Sequence, residues 1–164
     1  MHELQAASNH LYYEIMMLSA TSRALALGIS GKSILTNALL ESFVIHARSL
    51  LYFLYDTNPK PDDVVADDFF PDQREWHKAR PAKSTILATV HRRVGKEVAH
   101  LTYARQLVTA EMKNWDFVAI GDEIIRSCNV FTGLVSKECL GDRWKGNVPE
   151  ETNPYKASPG QGQR

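Results

Sequence analysis

The sequence predicts an all-α protein, an antiparallel four-helix bundle with a long crossover between helices 2 and 3. Three observations carry that expectation. Four long segments repeat their apolar residues at three- and four-residue steps, and no segment alternates apolar with polar residues over the length of a strand. One stretch, from Asp56 to Lys83, breaks the helical period altogether. Four amphipathic helices with no repeats and one long crossover are the pattern of an antiparallel bundle. The 164 residues suit a single core that needs neither disulfides nor a structural metal.

The first helix is marked by Leu4, Ala7, Leu11, Ile15, Leu18 and Leu25, and Gly28 and Gly31 end it. Ser33 opens the second. Its apolar residues (Leu35, Leu39, Phe43, Leu50 and Leu54 on one side, Leu40, Val44 and Leu51 on another) cover most of the circumference, which predicts burial on nearly all sides. The same segment carries a polar seam. Asn37, Glu41, Arg48, Tyr52 and Tyr55 fall within about 40° of one line, because seven residues make almost two turns. Either the seam is a structural network, with Glu41 and Arg48 paired across the bundle, or it belongs to a site. His46 lies on another face with Ser42 and Ser49, where a hydrogen-bonded core histidine is expected.

Between the second and third helices, four prolines and a run of aspartates (Asp56, Asp62, Asp63, Asp67, Asp68, Asp72) mark the crossover. A helical turn or two is expected over Asp72 to Lys78. Ser84 caps the third helix, whose stripe is Leu87, Val90, Val94, Val98 and Leu101. Asn114 is the expected cap of the fourth, which carries Phe117, Ile120, Ile124, Cys128, Phe131 and Val135 before Gly141 ends it. Residues 1–141 thus form the helical domain, and 142–164, rich in Gly, Pro and Gln, an extended or mobile tail.

Composition narrows the function. Nineteen basic and nineteen acidic side chains cancel, so attraction to a polyanion must come from a local patch. Lys78, Arg80, Lys83, Arg92, Arg93 and Lys96 supply one, or else simply balance the acidic crossover. His2, Glu3 and Gln5 do not fit a signal peptide, and a cytoplasmic location is expected. No membrane partner is expected either, since Asn37, Glu41, His46 and Arg48 interrupt the most apolar segment, and a spanning helix needs ~18 apolar residues. Cys128 and Cys139, about 16 Å apart along one helix at 1.5 Å per residue, cannot bridge and read as structural thiols.

The segment from His91 to Arg105 holds more charge and imidazole than a core helix needs. Arg93 and His100 are seven residues apart, which puts them on one helical face with Lys96 and Glu97 between them, bordering the apolar stripe. A cation and an imidazole on one rigid face suit binding a phosphate and moving a proton beside it.

Arg93 followed by six residues and then His100 resembles the motif of the HEPN superfamily, an arginine followed by four to six residues and a histidine on a late helix of an antiparallel bundle. The phrase from Gly95 to Thr102, with Lys96, Ala99 and His100, is similar to the surroundings of that motif in abortive-infection and toxin members. The resemblance implies a homodimer with two facing motifs and a metal-independent endoribonuclease of toxin–antitoxin or phage-defence type, with RNA as substrate and no cofactor. His100 would then be general acid or base for attack by a ribose 2′-hydroxyl, and Arg93 would offset charge on the phosphate. Glu41 would orient either one, and Lys96, Arg92, Tyr103 and Arg48 would bind substrate. The spacing is at the long limit of the motif, and Val94 stands where the family often has a polar residue.

A second class is a non-catalytic helical interaction module, antitoxin-like or adaptor, that meets a protein partner through Phe69, Phe70, Pro71 and Trp76; against it, these aromatics fold back onto the bundle. A metal site is not expected. His10 and Glu14 are spaced i,i+4, but the paired Glu-x-x-His repeats of di-iron bundles are absent, and the aspartates do not follow a calcium-loop pattern.

Overall fold

In the first helix the buried positions Leu11 and Leu18 recur at seven residues, two turns apart, so one stripe faces inward. The computed structural model describes residues 2–29, 31, 33–94 and 115–145. Among these the protein is all-helical, with no strand: α1 (His2–Ala26), α2 (Ile34–Tyr55), α3 (Arg74–Ala79), α4 (Thr85–Val94) and α5 (Phe117–Leu134), with 3-10 turns at Ala66–Phe69, Lys137–Cys139 and Asp142–Lys145.

The helix ends follow local chemistry. After α1, Gly28 takes the left-handed backbone (φ 61°), its N–H donates to Leu25 O at 3.1 Å, and Ile29 N donates to Ala24 O at 3.3 Å. These two bonds satisfy carbonyls that the helix end leaves open, in the arrangement that favours glycine. Ser84 Oγ accepts from Leu87 N at 3.2 Å and caps α4 as the sequence predicts. The cap of α5 differs from the expectation. Asp116 takes that place and accepts from Ala119 N at 3.0 Å, while Asn114 lies outside the described residues.

The helices meet in pairs. Glu14 of α1 meets His46 of α2, and Ser22 of α1 donates to Phe117 O of α5. Phe43 of α2 packs edge-on to Phe117, Tyr55 of α2 bonds Ser127 of α5, and Ser84 ahead of α4 bonds Glu123 of α5. The core between them holds Leu18, Phe43, Leu50, Leu51, Leu54, Leu87, Ile124 and Phe131.

Burial of α2 is less complete than its composition predicts. No residue of its first two turns is buried, and Ile34 and Leu35 are 88% and 60% exposed. From Phe43 onward one side of the helix is buried, while Ile45, Ser49 and Tyr52 stay exposed. The apolar circumference is real, but packing partners reach only its second half. By length and apolar content α2 is also the one described helix that could cross a membrane, yet eight of its residues are buried in this core.

The segment between α2 and α4 is an ordered cap. Its aspartates bind turn backbone: Asp56 Oδ1 accepts from Asn58 N, Asp63 Oδ2 from Lys60 N, Asp68 Oδ2 from Val65 N and Asp72 Oδ1 from Arg74 N, all within 2.8–3.0 Å. Side-chain acceptors two or three residues from a donor are how Asp stabilises tight turns. Phe69, Phe70 and Trp76 are then buried around Phe131, and Trp76 Nε1 donates to Leu54 O at 2.9 Å near the C-terminal end of α2.

Two sequence boundaries shift. The fourth helix ends at Leu134 rather than at Gly141, so Cys139 sits in a separate 3-10 turn and the single-helix spacing between the thiols does not apply. The packed body also continues past residue 141. Trp144 Nε1 donates to Ser8 O at 2.8 Å and its ring meets Tyr12 edge-on at 5.3 Å, which docks 142–145 on α1 instead of leaving them in an extended tail. Residues 146–164 lie outside the described set.

Candidate functional site

Arg93 lies in the last turn of α4, half-buried, with its guanidinium 4.1 Å from the centroid of the buried Trp115 ring. A guanidinium on an aromatic face is attracted by the ring quadrupole. Trp115 was not legible as a partner, since nothing in the helical period links the end of one helix to the residue before the next. Arg92 also lies in α4. His100, Lys96 and Tyr103 lie outside the described residues.

The basic cluster of the sequence divides between the ends of α4. Arg80 and Lys83 precede the helix and both lie over the Tyr55 ring, at 5.7 and 5.2 Å. Burial, and then the neighbouring charge of Arg80, hold the Lys83 ammonium below its usual pKa, while Asp56 works in the opposite direction. From Thr85 to Arg93 the helix rises about 12 Å at 1.5 Å per residue. The Tyr55 cations and Arg93 therefore do not form one compact cluster.

The α2 seam separates as well. Glu41 is exposed, Tyr55 is buried with its hydroxyl 3.0 Å from Ser127 Oγ, and Arg48 lies over the Tyr52 ring at 5.3 Å. Arg48 and Tyr52 face an open cleft of about 420 Å³ bordered by Asp56, Lys60, Asp63 and Val64 of the segment after α2. A second cleft, about 290 Å³, lies between α1 and α2 and is lined by His10, Leu11, Glu14, Leu50 and Phe53. Neither α4 nor α5 lines either cleft, and Arg93 is not among the lining residues of the one that Arg48 faces.

His46 is a core histidine, as its helical face predicts. It is buried, its Nδ1 lies 2.8 Å from Glu14 Oε2, and Tyr13 packs against the ring edge-on. Glu14 is thereby engaged with α2 rather than with His10. Among the described residues no three His, Cys, Asp or Glu side chains converge as a metal site. Phe69, Phe70 and Trp76, the contact surface expected of an interaction module, are in the core, and only Pro71 of that set stays exposed.

Comparison with known protein families, with curated proteins and with solved structures finds no match for this chain.

Proposed function

We propose that the chain is an antiparallel four-helix bundle, formed by α1, α2, α4 and α5 with residues 56–84 as its crossover, and that it is a metal-independent endoribonuclease of HEPN type. In this reading it acts in the cytoplasm as a homodimer. The observation that carries it is Arg93, a half-buried cation held on Trp115 and seven residues before His100. A permanently charged, planar guanidinium is suited to recognise a phosphate. His100 then moves the proton of the ribose 2′-hydroxyl, Arg93 offsets the charge gathering on phosphorus-bound oxygen, and neither step needs a metal. Glu41, Arg92, Lys96 and Tyr103 complete the proposed surface. Arg48, which faces the cleft beside the crossover, does not belong to it.

The experiment is cleavage of labelled RNA and DNA by the purified chain in the presence of a chelator. Wild type is expected to cut RNA, leave a 2′,3′-cyclic phosphate and spare DNA, which lacks the nucleophile. His100→Ala and Arg93→Ala should each abolish cleavage without changing the helical circular dichroism signal. A wild type inactive on every RNA, or a His100→Ala variant of full activity, removes the reading.

One observation favours a second reading, a helical interaction module. Leu27, Ile29, Ile34 and Leu35 at the α1–α2 turn are 60–88% exposed, an apolar cluster of the kind that marks contact surfaces. If that turn binds a protein partner or a second copy, Ile34→Glu abolishes association and leaves any RNA cleavage intact.

A further inference from the structure

The two clefts beside α2 adjoin along one grooved side of the helix, with Ser49, Phe53 and Val64 lining both. Its ends differ in chemistry. Toward α1 the walls are Leu11, Leu50 and Phe53 with the His10 imidazole beside them, and the one carboxylate there, Glu14, is engaged by His46. Toward the crossover the walls carry Arg48, Tyr52, Asp56, Lys60 and Asp63.

The charges at that polar end are not equivalent. Asp56 and Asp63 each accept a turn N–H, at 3.0 and 2.8 Å. The Arg48 guanidinium rests on Tyr52, and among the described residues neither it nor the Lys60 ammonium makes a hydrogen bond or ion pair. Asp56 and Asp63 match the two cations in number, but each already serves a turn N–H, so Arg48 and Lys60 carry the charged side-chain donors without a protein partner among the described residues, and the apolar cleft adjoins them. Clefts of about 420 and 290 Å³ are of the size that small-molecule sites occupy.

We propose that this groove binds a single-chain amphiphile with an anionic head, carboxylate or phosphate. The head sits at Arg48 and Lys60, and the chain runs past Val64 and Phe53 toward Leu11 and Leu50. Arginine and lysine recognise both head groups by charge-assisted hydrogen bonds, and the apolar end supplies the affinity that a bare anion lacks. The site is independent of the nuclease reading, since α4 and α5 take no part in it.

The test is calorimetric titration of the full chain with decanoate, decyl phosphate and decyltrimethylammonium, each below its micelle concentration, and with butyrate. Saturable binding of one decanoate or decyl phosphate per chain is expected, and the tighter of the two identifies the head group. The cation of equal chain length should bind at least about tenfold more weakly, the effect of one charge-assisted hydrogen bond. Butyrate should not bind measurably. Lys60→Gln, on an exposed turn, and Arg48→Gln should each weaken the anions about tenfold and leave the cation unchanged, while Val64→Asp weakens all three ten-carbon ligands. Melting curves on the same samples identify any variant that does not fold, and Lys60→Gln alone then decides the head-group contact. Equal binding of cation and anions, anion binding unchanged in a folded Lys60→Gln variant, or no saturable binding overturns the proposal.

Discussion

Glu14 and His46 are joined across the α1–α2 contact, with carboxylate Oε2 2.8 Å from imidazole Nδ1. A carboxylate oxygen only accepts, so Nδ1 carries the proton. The pair ties a polar side chain of the otherwise apolar buried half of α2 to the neighbouring helix, and an unmatched donor there would be expensive.

Removing the acceptor should therefore be felt in stability. Glu14→Ala is expected to lose about 1–3 kcal/mol, the penalty of a buried donor without a partner, and Glu14→Gln less, because an amide oxygen still accepts. Urea unfolding of Glu14→Ala, His46→Ala and the double variant gives the coupling directly. Additive effects would show that the two side chains do not depend on each other.

Trp76 of α3 is fastened to the core by its indole N–H on Leu54 O and by ring contacts with Phe70 and Phe131. It is 1% exposed. Trp76→Ala should lose about 3–5 kcal/mol and Trp76→Phe less, since the phenyl ring keeps most of the packing and forfeits the hydrogen bond. Denaturant midpoints check the order, and near-ultraviolet circular dichroism checks the loss of the fixed aromatic cluster.

Two glycines outside the left-handed region should respond with opposite sign. A Cβ on Gly141 would run into the Asn9 side chain and come within 2.6 Å of Gln5 O, and Gly141 N also donates to Ser8 Oγ of the same helix. Gly141→Ala is expected to destabilise by about 1–3 kcal/mol through overpacking. Around Gly133, in α5, nothing lies within 4 Å of the added carbon. Gly133→Ala should stabilise by about 0.4–1 kcal/mol, because alanine restricts the unfolded chain and favours helix. Thermal melts of the two variants should move in opposite directions.

Burial pushes the Cys128 thiol up to about 12, from an ordinary value of 9.0. The neutral thiol is the form the fold accepts, so the contribution of this group to stability is complete below pH 9.0 and is lost as pH rises toward 12. Cys128→Ala should remove this alkaline dependence. In the native protein a thiol-specific reagent should modify the half-buried Cys139 first and reach Cys128 only on unfolding.

Helical periodicity determined most of the secondary structure. Four apolar stripes place α1, α2, α4 and α5, Gly28 and Ser84 mark ends through backbone and hydroxyl chemistry that acts within a few residues, and the face of His46 foretells its burial. Such signals are local, and a sequence displays them directly. Which end of α2 finds neighbours, that the acidic crossover folds into a cap through its own turn N–H groups, that Trp144 carries the body beyond residue 141, and that Arg93 rests on Trp115 while Arg48 turns to a separate cleft were decided by the tertiary structure alone. The reason is that a side chain's partners across the core depend on the distance and rotation between elements, and the period of one helix contains neither.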